Sequence, residues 1–176
     1  MDLSIREAQL DDIDWIIALN AANTPAVSKL SREQYLELEN MCCATLIAEG
    51  GEGERLGFVM LMAPGRGYDS LNYKWFEDRL DSFLYVDRVA VAEAGRRKGV
   101  GLALYAEALE MAEAHGAVVL AAEVNIEPMN FVSLDFHKRL GFQALGDFTN
   151  SDSSKVVRML VRSTLNPELE SESSVT

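Results

Sequence analysis

The stretch Phe83-Leu84-Tyr85-Val86-Asp87-Arg88-Val89-Ala90-Val91, followed a few residues later by Arg96-Arg97-Lys98-Gly99-Val100-Gly101, decides the reading of this chain. The first run is strongly apolar and of strand length, interrupted only by Asp87 and Arg88. Past the glycines, Val100, Leu104, Ala108 and Met111 recur at helical spacing. Leu102, Tyr105, Leu109 and Ala112 do the same, and Gly116 ends the helix. A helix that starts in such a loop offers unpaired backbone N–H groups and the positive end of its dipole. Gly99 and Gly101 let the backbone come close to a phosphate, and Arg96, Arg97 and Lys98 add positive charge. The unit therefore reads as an anion site; the bland alternative is a turn whose cations are merely solvated. A P-loop would need GxxxxGK[ST] and a dinucleotide fingerprint G-x-G-x-x-G, and neither fits.

Working outward, residues 4–8 alternate as a short first strand. Asp11 or Asp12 can cap a helix to about Ala22, with Trp15, Ile16 and Leu19 on its apolar face. Ser31-Arg32-Glu33-Gln34 has capping-box spacing and starts a second helix to about Glu39. Residues 42–48 and 56–62 read as strands joined by the turn Gly50-Gly51-Glu52-Gly53. An irregular loop over 64–72 leads to a short helix over 73–80. Downstream, 118–124 is a buried strand, Asn130 caps a helix over 131–140, and 142–145 and 155–161 are the last strands. This order predicts one layered α/β (α+β) domain over 1–165, antiparallel in its first half, with a strand–helix–strand crossover in the second. Residues 166–176 form an acidic, serine-rich tail that composition marks as disordered.

The chain has 176 residues and a net charge of -12. That charge disfavours nucleic acid and suits a cationic partner, or simply solubility. No apolar run is long enough to span a bilayer, and the N-terminus lacks a signal-peptide layout, so a cytoplasmic protein is expected. Cys42 and Cys43 are adjacent and read as reduced, and two His with two Cys lack the spacing of a metal site. The apolar later strands are compatible with a homodimer.

A second motif gives the loop its meaning. Asn130-Phe131-Val132-Ser133-Leu134-Asp135-Phe136-His137-Lys138-Arg139-Leu140-Gly141-Phe142 lies one strand and a short loop after the glycine-rich segment. The pair resembles the GNAT superfamily of N-acetyltransferases: Arg96–Gly101 resembles its [Arg/Gln]-x-x-Gly-x-[Gly/Ala] pyrophosphate motif, and the downstream helix its Asn-x-x-[Ala/Ser]…Tyr-x-[Lys/Arg]-x-Gly-Phe segment. The resemblance implies a central mixed, mostly antiparallel sheet of about seven strands flanked by helices and splayed between the fourth and fifth. It implies acetyl-CoA as co-substrate and an amine on a small molecule or polypeptide as acceptor, with direct attack in a ternary complex. Val89, Ala90 and Val91 would pair with the pantetheine arm, amides of Arg97 through Leu102, including Lys98 and Val100, would hold the pyrophosphate, and Asn130 would bond the pantetheine. His137 stands where the family often has a tyrosine that protonates the leaving thiolate.

The reaction also needs a neutral amine, so a carboxylate or a relayed water is wanted. Glu123, on the far face of the 118–124 strand with Val119 and Ala121, is the first candidate base, and Asp87 is the rival. The plainer reading of either residue taken singly, and the preferred one, is an ion pair with Arg88 or Arg158. Tyr68, Asp69 and Tyr85 are expected at the acceptor edge, where aromatic faces and carboxylates suit a cation, and 23–28 should flank the same cleft. Two other readings stay open here: a non-catalytic acyl-CoA-binding or sensing module, and a nucleotide-binding α/β domain using the same loop.

Overall fold

The structure is a computed structural model that describes residues 2–164; the tail expected at 166–176 lies outside the described residues. Seven strands form one sheet in the order β1-β2-β3-β4-β5-β7-β6. The strands are β1 Leu3–Glu7, β2 Ala44–Gly50, β3 Arg55–Met62, β4 Leu84–Val91, β5 Val119–Glu127, β6 Gln143–Asn150 and β7 Lys155–Ser163. The helices are α1 Ile13–Ala22, α2 Arg32–Met41, α3 Leu71–Glu77, α4 Val100–Ala114 and α5 Phe131–Arg139. The predicted element order holds throughout. The layers on the two sheet faces bury separate clusters. Val100, Leu104, Tyr105 and Ala108 of α4 pack with Leu46, Val59 and Leu120 on one. On the other, Ile13 and Ile16 of α1, Tyr35 and Leu38 of α2, and Tyr73 and Phe76 of α3 pack with Ile47, Phe58 and Met60. At roughly 25 cal/mol per Å² of apolar area, each such buried side chain contributes about 1.5–3 kcal/mol.

Local chemistry explains most boundaries. Ser31 Oγ accepts from Gln34 N and Gln34 Oε1 accepts from Ser31 N, which is the expected capping box of α2. Asn130 Oδ1 accepts from Ser133 N and starts α5. Asp12 was expected as a helix cap, but its carboxylate binds Arg6 and Arg55 at 2.6 and 2.9 Å and closes a 3-10 turn through Gln9 N. Strand β6 runs on to Asn150 rather than stopping at Leu145, because its ladder with β7 continues through the Asp147–Arg158 pair.

Two irregularities prepare the site. The pairing of β3 with β4 sets Met60 against Arg88 and Leu61 against Val86, so Asp87 is the extra residue of a β-bulge. The parallel pairing of β4 with β5 is confined to Leu84↔Leu120 and Tyr85↔Ala121. Beyond Tyr85 the two strands part, as the family resemblance predicts. No helix among the described residues is long and apolar enough to cross a membrane.

Candidate active site

The splay between β4 and β5 opens a cavity of about 390 Å³. One part is walled by Val86, Val89, Ala122 and Val124 of the splayed strands together with Tyr105, Asn130, Ser133 and His137 of α4 and α5. The other part reaches Ala26–Ser28, Tyr68–Asn72, Asp87, Arg88, Glu123 and the β6–β7 turn.

On the first side the backbone supplies the binding groups. Ala92 N donates to Leu56 O on the β3 side. Strand residues alternate between edges, which puts the N–H groups of Val89 and Val91 on the edge that faces the gap. The loop that follows holds Arg97 at φ 60° and Gly99 at φ 81°, left-handed values that turn the chain into α4. Ala103 N is the first amide to bond back, to Gly99 O, so the amides of Val100, Gly101 and Leu102 have no intrahelical acceptor. Arg96, Arg97 and Lys98 are exposed and make no ion pair among the described residues. A Cβ on Gly101 would come within 3.1 Å of Phe136, so α4 and α5 meet closely where a side chain would not fit. Asn130 spends Oδ1 on its helix cap, and its amide N–H groups have no partner among the described residues. These free amides, with uncommitted cations beside them, fit the pyrophosphate and amide groups of acetyl-CoA.

On the acceptor side, side chains dominate. Glu123 Oε1 accepts from Asn72 Nδ2 at 2.9 Å and Tyr85 OH at 3.0 Å, while Oε2 is buried with no partner among the described residues. Burial pushes the Glu123 carboxyl up to about 7; the Asn72 and Tyr85 donors pull the other way, and Asp87 adds repulsion. Asp87, the rival base, is bound to Arg88 at 2.7 Å, both side chains almost wholly buried. The bulge makes this possible, since neighbours on a regular strand would face opposite ways. Arg88 also donates to Asn20 Oδ1 at 3.2 Å and Ser28 Oγ at 3.5 Å. Asp87 is thus a member of a buried ion pair rather than a free carboxylate. Arg158, the other expected partner of Glu123, instead pairs with Asp147.

His137 is buried, with Nδ1 2.7 Å from Ser133 O and Nε2 2.7 Å from Tyr105 OH. A carbonyl can only accept, so Nδ1 carries the proton. Nε2 therefore accepts from the Tyr105 hydroxyl. Burial lowers the His137 pKa against a smaller opposing effect of the Ser133 carbonyl, which keeps the ring neutral. In this arrangement His137 is an acceptor, and its one ring proton is committed to the backbone; Tyr105 bears the hydroxyl proton on the cavity wall. Nothing in the sequence singled out Tyr105, which sits at a core position of α4.

Of the expected acceptor contacts, Tyr68 lines the cavity and Asp69 sits at its rim, ion-paired with Lys74. Tyr85 is buried and spends its hydroxyl on Glu123. Asn72 and Asn150 belong to the same network, and no local pattern in the sequence marks either. No group of three or more His, Cys, Asp or Glu among the described residues could hold a metal ion.

A parallel pair that splays after two residues, followed by a glycine turn with free amides at a long helix, sets an anion-binding loop beside an open strand edge. Residues 9–142 match the family described as Acetyltransferase (GNAT) family, and the chain belongs to it. It is 27% identical over 156 residues, 83% of each chain, to proteins named L-methionine sulfoximine/L-methionine sulfone acetyltransferase from Pseudomonas paraeruginosa and Pseudomonas aeruginosa. Ard1 from Thermoplasma volcanium superposes with a TM-score of 0.75 at 21% identity, covering 94% of this chain and 100% of that one. The yncA acetyltransferase structure from Salmonella typhimurium, which holds its cofactor acetyl-CoA, has a TM-score of 0.68 at 19% identity over 94% and 96% of the two chains. The protein is an acetyltransferase of this family.

Proposed function

We propose that the chain moves an acetyl group from acetyl-CoA to the primary amine of a small molecule by direct attack, with Glu123 as the base. The observation that carries this reading is the Glu123 carboxylate, in a residue that lines the cavity: one oxygen is held by two neutral donors, and the other is buried without a partner among the described residues. An ammonium must lose a proton before it can attack, and a carboxyl near 7 is matched to that task. Acetyl-CoA supplies the thioester. The amides of Val100 to Leu102, with Arg96, Arg97 and Lys98 beside them, would hold its pyrophosphate, and the Val89 and Val91 edge its pantetheine. A strand amide in 89–91 would face the carbonyl oxygen as charge develops there. Tyr105, whose hydroxyl donates to His137 Nε2, stands on the same wall as a candidate proton source for the departing thiolate, which it could serve only by giving up that hydrogen bond.

A small acceptor is supported by the roof of the cleft. The 23–28 segment is tied across it by Lys155 Nζ to Pro25 O at 2.8 Å, and again by Asn20 Nδ2 to Ser28 O at 2.9 Å. An extended peptide would need that segment displaced. The relatives named for methionine sulfoximine make an amino-acid derivative a natural first probe, and Arg88 and Lys155 are the cations its carboxylate would meet.

The test is thiol release from acetyl-CoA with a panel of amines that includes L-methionine sulfoximine, L-methionine sulfone and a peptide with a free N-terminus. Turnover with small amines, absent with the peptide, and lost in Glu123→Gln is the expected result. Faster turnover of the peptide would overturn the small-molecule reading. Acetyl-CoA binding with no turnover across the panel would instead favour a sensing module, consistent with the committed ring proton of His137.

A further inference from the structure

Resting on the reading of Glu123 as the base, we infer that Asn72 and Asn150 are positioning residues that act as a one-way relay, fixing which oxygen of Glu123 is engaged and which is left without a partner. The relay begins at groups whose role cannot be reversed. The backbone amides of Asp152 and Ser153, in the β6–β7 turn, donate to Asn150 Oδ1 at 3.0 and 3.2 Å. That sets the sense of the Asn150 amide, whose Nδ2 donates to Asn72 Oδ1 at 2.8 Å. Asn72 is then left to point Nδ2 at Glu123 Oε1, and does so at 2.9 Å.

Each asparagine amide could be turned over at little steric cost, since its oxygen and nitrogen are nearly the same size. With Asn72 reversed, a carbonyl oxygen would face the carboxylate, which could answer only when protonated. The chain of donors therefore does two things. It stabilises the ionised form of a carboxyl that burial would otherwise keep neutral, and it occupies Oε1 so that Oε2 remains. Three elements far apart in sequence meet in it: the β6–β7 turn, the first turn of α3 and the middle of β5. Asp152, Ser153 and Lys155 of the same turn line the cleft, so the wall that an acceptor touches is also the wall that sets the base. The other ionisable groups facing Glu123 are Tyr85 and Asp87 on β4, Tyr68 in the preceding loop and Tyr105 on α4. The first is already spent on Oε1, and the rest stay the same in the variants below.

The experiment follows the Cδ resonance of Glu123 by NMR titration, assigned by its loss in Glu123→Gln, alongside the pH profile of kcat/KM. Asn72→Leu should move the Glu123 midpoint upward by roughly one unit, a tenfold rise in proton affinity. Asn150→Ala should move it in the same direction by less, because Asn72 would then sample both senses. The double variant should match Asn72→Leu alone, the non-additivity expected of one chain of contacts. Should Asn150→Ala fail to fold, Asn150→Asp keeps both acceptors for the turn amides. Its upward shift should be larger in the native background than with Leu at position 72, where only its charge acts. An unmoved midpoint in Asn150→Ala, or shifts that simply add, would overturn the relay. A midpoint that moves while the acid limb of the rate profile stays put would leave the relay standing and remove Glu123 as the base.

Discussion

Asp12 and Glu123 are both carboxylates taken out of water, and their neighbours give them opposite tasks. Asp12 lies between Arg6 and Arg55, at 2.6 and 2.9 Å, and takes a backbone hydrogen bond from Gln9. The Arg6 hydrogen bond is the main cause holding its carboxyl below the usual range, against the opposing effect of burial. Glu123 has no cation among the described residues; two neutral donors share one oxygen and the other has none. Its carboxyl is pushed up by burial to about 7. A fold gains from fully pairing a buried charge, and leaves one half-paired where a reaction can use it. The Asp12 cluster ties β1, β2 and the start of α1 together through Arg6, which also binds Glu49 at 2.5 Å. The Glu123 network also joins distant elements, α3, β4, β5 and the β6–β7 turn, but through neutral donors that aim one side chain rather than through opposite charges.

The contrast predicts a crossed pair of phenotypes. Glu123→Gln should lower kcat/KM about 10²–10⁴-fold, the usual worth of a positioned base, with Tm unchanged or raised because a strained carboxylate is gone. Asp12→Asn should leave kcat within about twofold and cost about 2–3 kcal/mol. That is less than a fully buried pair would lose, because Arg6 and Arg55 retain some access to water. For a chain of this size the Tm would fall by roughly 5–10 °C. Thermal melts and steady-state rates on the same two preparations check both halves. An inactive Asp12→Asn that melts normally, or an active Glu123→Gln, would break the contrast.

Titration should separate the two carboxylates again, with opposite signs. Asp12 is more acidic in the folded than in the unfolded chain, so its stabilisation is present above the unfolded value near 3.8 and is lost as pH falls through its lower folded value. Glu123 is less acidic when folded, so its favourable contribution is complete below the unfolded value near 4.5 and is lost as pH rises through about 7. Denaturant midpoints between pH 5 and 8 should therefore decline less in Glu123→Gln than in the native protein. Asp12→Asn should flatten only the acid side. Over the same upper range the acid limb of kcat/KM should lie near pH 7 and report Glu123 in its active, ionised form.

The two sites were unequally legible in the sequence. The cofactor side rests on local features, each within a few residues: glycines at 99 and 101, cations at 96 to 98, and an asparagine cap at 130. Backbone amides would do the binding there, so short-range patterns announce them. Glu123 stood out because a carboxylate in an apolar strand needs a reason. Its holders, Asn72 and Asn150, lie 51 residues upstream and 27 residues downstream of it in the chain and look like ordinary loop and strand-end asparagines until the sheet brings them together. The Asp87–Arg88 pair was equally hidden. Adjacent strand residues face opposite sides unless a bulge intervenes, and nothing local marks the bulge at Asp87. For His137 the sequence showed the residue but not Tyr105, whose hydroxyl decides what the ring can do.

The mildest effects belong to charges that are neither buried nor committed. Arg96, Arg97 and Lys98 are exposed and without ion-pair partners among the described residues, unlike Arg6 or Arg88. Replacing any one by Ala removes a solvated cation near a bound phosphate, worth about 0.5–1 kcal/mol, so KM for acetyl-CoA should rise two- to fivefold with kcat unchanged. The effect should shrink at high salt, since such charges are screened over about 10 Å at 0.1 M. Stability should stay within about 0.5 kcal/mol, because nothing in the fold depends on these side chains. A fall in kcat, or a melting shift as large as that of Asp12→Asn, would place one of these cations with the structural charges. Arg97 tests this most sharply, because its left-handed φ of 60° is the loop's strained backbone point. Arg97→Gly would keep that turn while removing the charge, so it should match Arg97→Ala in KM and exceed it in Tm.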